Sequence, residues 1–205
     1  MRILFQGDSI TDACRSREND IDFGRGYPLL VKASLGYKEP EKYEFFNRGE
    51  GGNRIAHIYA RIKRDILNIK PDFMSILVGV NDVWHEFSYG TGTDNEKYFM
   101  IYDMLISEIK ESLPNIKIMI MEPFILKGSA TEENWLQFRQ EVEKRAAMAK
   151  KISEKYELPF LELQKGFDEL SENIGSNYWL VDGVHPTPMG HEYIKQEWLK
   201  IFNSL

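Results

Sequence analysis

This sequence has a single cysteine, no long apolar run and no excess of positive charge. Cys14 is the single cysteine among 205 residues, so neither an internal disulfide nor a cysteine metal cluster can form. No apolar run approaches the roughly 20 residues that a membrane-spanning helix needs. The apolar run before Gln6 covers only three residues, too few for a secretory leader. We therefore expect a cytoplasmic protein that does not associate with membranes.

The balance of charge excludes another class of partner. The chain carries 26 Lys and Arg against 32 Asp and Glu, a formal net charge of −6, which argues against a nucleic-acid-binding surface. No pattern in the sequence indicates a cofactor. The oligomeric state is not decided, so a homo-oligomer stays open. The length suits one domain over residues 1–205.

Five short apolar runs alternate with stretches of helical periodicity. The longest run, Phe73–Val80, has the continuity of a central strand buried on both faces. Alternating strands and helices imply crossover connections and hence a doubly wound α/β fold with a parallel sheet. Residues 81–93 are predicted to be a loop. The predicted strands are 3–5, 43–46, 73–80, 116–121 and 159–163, and the main predicted helices are about 27–35, 55–69, 93–113, 132–156 and 188–202.

Polar residues follow the first three predicted strands at the point where each strand ends. Ser9 comes after the first strand, the glycine-rich segment 49–53 after the second, and Asn81 after the third. Carboxyl ends of parallel strands meet at one edge of the sheet, where ligand crevices form. Asp182 and His185 follow the fifth strand by about twenty residues, and a loop there could reach the same edge.

Acyl transfer needs four groups, and the sequence has a candidate for each. Ser9 is the candidate nucleophile, and His185 could take its proton and return it to the leaving alcohol. Asp182 could orient the imidazole and stabilise its cation. The tetrahedral oxyanion needs hydrogen-bond donors, for which the Ser9 backbone N–H, a glycine N–H of the second loop and the Asn81 amide are candidates.

Each of these residues also has a simpler interpretation. The glycines of segment 49–53 suit a strand-to-helix turn, and Asn81 suits a turn in which it bonds its own backbone. Asp182 could likewise belong to a turn. A metal site formed by Asp182, His185 and His191 would lack a second carboxylate at ligand spacing, so no metal is expected. His57 and His191 are interpreted as structural or exposed.

Four sequence blocks together resemble a known family, the GDSL/SGNH hydrolases. They are Gly7-Asp8-Ser9-Ile10-Thr11, Asn47-x-Gly49-x-x-Gly52, Gly79-Val80-Asn81-Asp82 and Asp182-x-x-His185-Pro186. The blocks occur in the family's order across nearly the whole chain. The resemblance implies a three-layer, flavodoxin-like fold with five parallel strands, and esterase chemistry.

By position, the resemblance assigns the roles of individual residues. It implies Ser9, Asp182 and His185 as the catalytic residues, and Ser9, Gly52 and Asn81 as the oxyanion donors. The segment Glu50-Gly51 departs from the family, which often has an apolar residue followed by a small hydroxyl residue there. The extra glycine leaves a choice between Gly51 and Gly52, and the block spacing favours Gly52.

Within the family, the sequence is most similar to intracellular carbohydrate acetylesterases of the acetylxylan esterase kind. This similarity implies a small-molecule ester substrate, an acetylated oligosaccharide such as an acetylated xylo-oligosaccharide. Asp8, Trp84 and Trp179 are the candidate substrate-binding residues, since aromatic rings at a crevice rim can stack on a sugar. A lysophospholipase or thioesterase is an alternative activity, and a non-catalytic carbohydrate-binding protein is an alternative of another class.

Overall fold

The apolar runs of the sequence form one five-stranded sheet in the computed structural model, which describes residues 1–205. All neighbouring strands are parallel, and their order across the sheet is β2-β1-β3-β4-β5. The predicted doubly wound α/β fold is therefore confirmed. The strands are β1 (Arg2–Gly7), β2 (Glu44–Asn47), β3 (Phe73–Leu77), β4 (Lys117–Met121) and β5 (Phe160–Leu161).

Nine helices connect these strands and cover the sheet on both faces. None of them is long and apolar enough to cross a membrane. The helices are α1 (Ser9–Asp12), α2 (Tyr27–Lys38), α3 (Ile55–Ala60), α4 (Val80–Tyr89), α5 (Asn95–Ser112), α6 (Trp135–Lys155), α7 (Gln164–Ile174), α8 (Ser176–Trp179) and α9 (Pro188–Phe202).

Two apolar clusters, one on each face of the sheet, form most of the core. Successive side chains of a strand point to opposite faces, so Ile3 and Phe5 of β1 enter one cluster and Leu4 enters the other. The first cluster contains residues of α2, α7 and α9, and the second contains residues of α3, α5 and α6. All five residues of β3 are buried, as the continuous apolar run predicts.

The prediction for residues 73–93 is wrong in two respects. Strand β3 ends at Leu77 rather than at residue 80, and residues 81–89, predicted to be a loop, belong to helix α4. Gly79 ends the strand because it adopts φ of +142°, a conformation that residues with a side chain rarely adopt. The helix then buries Val80 and Val83, which are spaced three residues apart. This short periodicity was readable in the sequence, but it directly follows an apolar run that hides its start.

The prediction of one continuous helix over residues 55–69 is also wrong. Helix α3 ends at Ala60, and Lys63–Leu67 form a π-helical turn. The wider turn is closed by the Asn68 N–H, which donates to the Lys63 carbonyl at 2.9 Å. The isoleucine stripe still reaches the core, since Ile62 and Ile66 are both buried. Hydrophobic periodicity therefore gives the buried face but not the change of helix type.

Trp198 of α9 fixes the packing of the last helix on the sheet. Its ring is completely buried and lies 5.5 Å from both Phe5 and Phe73, measured between ring centroids. We predict that Trp198→Ala lowers the free energy of unfolding by about 3–5 kcal/mol, because it leaves a large cavity. Denaturant unfolding followed by circular dichroism measures the change. Tyr37→Ala is the control, since Tyr37 is 92% exposed, and a loss of less than 1 kcal/mol for Trp198→Ala would contradict this packing.

Candidate active site

Ser9 lies at the carboxyl end of β1, where the chain turns into a helix. Strand β1 ends at Gly7, whose backbone packs so closely that an added Cβ would lie 2.4 Å from the Leu77 carbonyl oxygen. Asp8 then caps helix α1, because its Oδ1 accepts a hydrogen bond from the Ile10 N–H at 3.0 Å. Ser9 is therefore the first residue of a capped helix, and its backbone N–H has no acceptor within that helix.

His185 and Asp182 come from the loop before α9 and complete a hydrogen-bonded series with Ser9. Ser9 Oγ lies 3.0 Å from His185 Nε2, and His185 Nδ1 lies 2.7 Å from Asp182 Oδ2. The other Asp182 oxygen accepts from the N–H groups of Val184 at 2.9 Å and His185 at 2.8 Å. Asp182 is thus fixed by the backbone of its own loop, and it fixes the imidazole in turn.

The charges of this series follow from its hydrogen bonds. Partial burial alone would raise the pKa of Asp182, but the bonds from His185 and from two backbone N–H groups lower it to about 2. The bond to Asp182 raises the pKa of His185 above its ordinary value. Since an ionised carboxylate only accepts, Nδ1 of the neutral imidazole carries the proton. Nε2 is then free to accept from the Ser9 hydroxyl.

The glycine-rich loop after β2 lies against helix α1. Asn47 holds the two together, because its Nδ2 donates to the Thr11 carbonyl at 2.8 Å and its Oδ1 accepts from the Gly49 N–H at 3.0 Å. The Gly51 N–H is already engaged, since it donates to Asp12 Oδ2 at 3.1 Å.

Gly52 differs from its neighbour in its backbone. It adopts φ of +77°, in the left-handed region that favours glycine. Its N–H donates no hydrogen bond within the protein. Of the two glycines that the sequence left open, Gly52 is therefore the one with a free donor.

Asn81 lies in the first turn of α4 and is 4% exposed. Its Nδ2 donates to the Asn53 carbonyl at 3.2 Å, which leaves the second amide hydrogen without an acceptor in the protein. The next residue, Asp82, ties the two loops together, because its carboxylate accepts from the Ile55 N–H at 3.2 Å. Burial raises the pKa of Asp82 to about 7. These two hydrogen bonds hold the segment after β2 in a fixed position relative to the start of α4.

A crevice of about 670 Å³ opens over Ser9. Asp182 and His185 line it together with Gly51, and a Cβ added at Gly51 would lie 3.9 Å from the Ser9 Cβ. The structure therefore brings together the residues that follow the first two strands and the Asp182–His185 loop.

The three candidate substrate-binding residues lie in different environments. The Trp84 ring lies 5.8 Å from the His185 ring between centroids, beside the hydrogen-bonded series. Trp179 does not line the crevice, since its Nε1 donates to the Leu170 carbonyl at 3.0 Å and its ring faces a separate, smaller cavity. Asp8 is 1% exposed, and its burial raises its pKa to about 7. Trp84 is half-buried and lines a third, smaller cavity rather than the crevice itself, whereas Asp8 is closed off from any substrate.

Arg25 and His191 are among the crevice residues that were not predicted from the sequence. His191 was interpreted as structural or exposed, whereas it is 6% exposed and still lines the crevice. Its place six residues after His185, in the first turn of α9, is the one sequence signal that could have indicated it. Arg25 lies in the polar loop after α1, where no periodicity marks the residues that point toward a site.

Comparisons with known proteins show the family of the chain. Residues 5–193 match the model of the GDSL-like Lipase/Acylhydrolase family. The chain is 30% identical to an acetylxylan esterase of Geobacillus stearothermophilus, over 97% of this chain and 92% of that protein.

Solved structures of similar proteins superpose closely on this fold. A crystal structure of Axe2, an acetylxylan esterase from Geobacillus stearothermophilus, superposes with a TM-score of 0.86 at 28% identity, covering 97% of this chain and 92% of that one. A Parabacteroides merdae protein assigned as a GDSL-like lipase superposes with a TM-score of 0.92 at 35% identity, covering 97% and 94%.

The two histidines of the crevice should titrate far apart. We predict that His185 titrates above 6.5, because Asp182 stabilises its cation, and that His191 titrates near pH 4, because burial disfavours its cation. NMR titration of the imidazole resonances measures both values. Asp182→Asn should lower the pKa of His185 and leave that of His191 in place. A His185 pKa at or below 6.5 in the unmodified protein would contradict the Asp182 contact.

Proposed function

This chain belongs to the GDSL-like lipase/acylhydrolase family and is a carboxylic ester hydrolase, and we propose that it removes acetyl groups from carbohydrate esters such as acetylated xylo-oligosaccharides. The observation that carries the chemistry is the series in which Ser9 Oγ lies 3.0 Å from His185 Nε2 and His185 Nδ1 lies 2.7 Å from Asp182. The similarity to an acetylxylan esterase supports the choice of ester.

The reaction begins when Ser9 Oγ attacks the carbonyl carbon of the acetyl group. His185 Nε2 takes the hydroxyl proton as the new C–O bond forms. Asp182 stabilises the resulting imidazolium and keeps the ring in the orientation that faces Ser9. The tetrahedral intermediate then collapses, the bond to the sugar oxygen breaks, and His185 returns the proton to that oxygen. The products of this step are the free sugar hydroxyl and an acetyl ester on Ser9.

A water molecule completes the turnover in a second, similar step. His185 takes a proton from the water as its oxygen attacks the acetyl carbonyl. The second tetrahedral intermediate expels the Ser9 oxygen, which regains its proton from His185. Acetate leaves, and the free serine is restored.

Three donors stabilise the oxyanion that both steps generate. They are the Ser9 N–H, the Gly52 N–H and the Asn81 side-chain amide. The support for this set is that the Gly52 N–H has no protein acceptor, whereas the Gly51 N–H is bound to Asp12. Donors fixed in advance cost no reorganisation when the negative charge develops, which makes this type of stabilisation a large part of catalysis.

The sugar part of the ester lies beside Trp84 in this proposal. Trp84 is half-buried and is in contact distance of the His185 ring, next to the atom that protonates the leaving oxygen. An aromatic face at that point can pack against the apolar face of a sugar ring.

We predict that the enzyme releases acetate from acetylated xylo-oligosaccharides and that Ser9→Ala and His185→Ala reduce this release to background. Each change removes a group that makes or transfers a bond in the reaction. Acetate assay under saturating substrate measures the effect, with circular dichroism to verify folding. Ser112→Ala, an exposed serine at the end of α5, is the matched control and should retain full activity.

The same assay separates the alternative functions. Run beside p-nitrophenyl esters of increasing chain length, it should show a preference for acetyl over long acyl groups. Preference for long chains or thioesters would replace the acetylesterase proposal by a lysophospholipase or thioesterase. Binding of xylo-oligosaccharides without any hydrolysis by folded protein would favour a carbohydrate-binding function.

Removal of the Asn81 amide tests the oxyanion donors. Asn81→Ala should lower kcat by about 10²–10³, because one donor to the developing charge is lost, while KM changes little. Steady-state kinetics with an acetyl ester measures both constants. Asn173→Ala, an exposed asparagine on α7, is the control. An unchanged kcat for Asn81→Ala would reduce Asn81 to a residue that only supports the Asn53 loop.

A further inference from the structure

The wall of the crevice formed by Arg25 and His191 takes no part in the hydrolysis proposed above. His191 is held rigidly there. Its Nδ1 accepts a hydrogen bond from the Tyr27 N–H at 3.1 Å, and its ring stacks on the Tyr27 ring at 6.4 Å between centroids. A Cβ added at Gly26 would lie 3.0 Å from His191 Cε1. The Tyr27 N–H, the Tyr27 ring and the Gly26 backbone therefore hold the imidazole in one orientation.

The state of the imidazole follows from this environment. Burial lowers the pKa of His191 to about 4, so the ring is neutral at neutral pH. Since Nδ1 accepts from Tyr27, the proton of the neutral ring lies on Nε2. The Nε2–H finds no acceptor in the protein, although the residue is only 6% exposed and lines the crevice. The Nε2 atom itself is not closed off from solvent, so this N–H is free to donate to a ligand in the crevice.

Arg25 adds an uncompensated positive charge to the same wall. Its guanidinium makes one side-chain contact, from Nη2 to Cys14 Sγ at 3.4 Å, and no carboxylate lies within ion-pair distance of it. The carboxylates that line the crevice are already engaged. Asp12 pairs with Arg17 at 3.2 Å, and Asp182 pairs with His185.

We propose that Arg25 and His191 form a subsite for a carboxylate on the alcohol part of the ester. A guanidinium binds a carboxylate through paired, charge-assisted hydrogen bonds, and a neutral imidazole N–H donates a further bond. A neutral sugar hydroxyl could accept a hydrogen bond there, but only a carboxylate also uses the positive charge. The preferred substrates are then acetyl esters of acidic oligosaccharides, in which a uronic acid accompanies the acetylated sugar. This inference rests on the proposed function and narrows its substrate class.

Kinetics with two matched substrates tests the subsite. Acetylated xylo-oligosaccharides with and without a glucuronic acid branch are compared by kcat/KM. We expect the acidic substrate to be favoured roughly tenfold at low salt, a typical worth of one charged hydrogen bond, and the preference to shrink as salt is added. Arg25→Gln should bring the ratio close to one. A ratio near one in the unmodified enzyme that releases acetate would overturn the subsite.

Arg17→Gln is the matched control for the arginine. Arg17 lies in the same loop as Arg25, but its guanidinium is already paired with Asp12, so the ratio should stay at the unmodified value. If the ratio of kcat/KM values fell equally in the Arg17 and Arg25 variants, the preference would come from the overall charge of the loop. That result would contradict the subsite.

His191→Asn tests the second donor. The asparagine oxygen can still accept from the Tyr27 N–H, as Nδ1 does, but no atom remains at the position of Nε2. We expect a higher KM for the acidic substrate with a smaller change in kcat. If this variant does not fold, the arginine pair still decides the proposal.

A binding measurement separates failure of the subsite from failure of the proposed function. Calorimetry with the Ser9→Ala protein gives the Kd of deacetylated oligosaccharides with and without glucuronic acid, and it requires no hydrolysis. Tighter binding of the acidic sugar supports the subsite even if the unmodified enzyme releases no acetate. Equal Kd values together with active acetate release would overturn the subsite and leave the acetylesterase function standing.

Discussion

The close approach of the glycine-rich loop to helix α1 is the constraint on which the site depends. A Cβ added at Gly49 would lie 2.2 Å from the Asp12 nitrogen, so no side chain can stand between the loop and the helix. Asn47 and Asp12 then bridge the gap by hydrogen bonds to the backbone of the other element. Because α1 begins at Ser9, this contact sets the distance between the serine and the glycine N–H groups.

Two buried carboxyl groups beside the site lower the stability of the fold. Burial raises the pKa of Asp8 and of Asp82 to about 7, whereas both groups would ionise near pH 4 in the unfolded chain. The folded protein therefore binds more protons between these values, and the free energy of unfolding falls as the pH rises through this range. Each group also accepts a hydrogen bond from a backbone N–H near the crevice.

Much of the fold was predictable from the sequence, because alternating apolar runs and helical periodicity define a parallel α/β sheet. The polar groups after β1, β2 and β3 were also predictable, since parallel strands bring their carboxyl ends to one edge. Helix α4 was not predicted, because its short periodicity directly follows the apolar run of β3, and the π-helical turn was not, because hydrophobic periodicity does not give the helix type. Trp179 and His191 are further examples, since sequence gives no direction for a side chain. The orientation of Trp179 is set by its hydrogen bond to the Leu170 carbonyl, and that of His191 by the hydrogen bond that it accepts from the Tyr27 N–H. The roles of Ser9, Asp182, His185, Gly52 and Asn81 remain predictions.

Helix α4 carries both Asn81 and Trp84 within one turn, which has a consequence for how this enzyme could diversify. Any mutation that moves the tryptophan by shifting the helix would also displace the amide. Under the proposed roles of these two residues, changes of sugar preference made there would be selected against through lost turnover. The loop that carries Arg25 contains none of the three proposed oxyanion donors. New substrate preferences in descendants of this protein should therefore arise in residues 13–25, with α4 held constant.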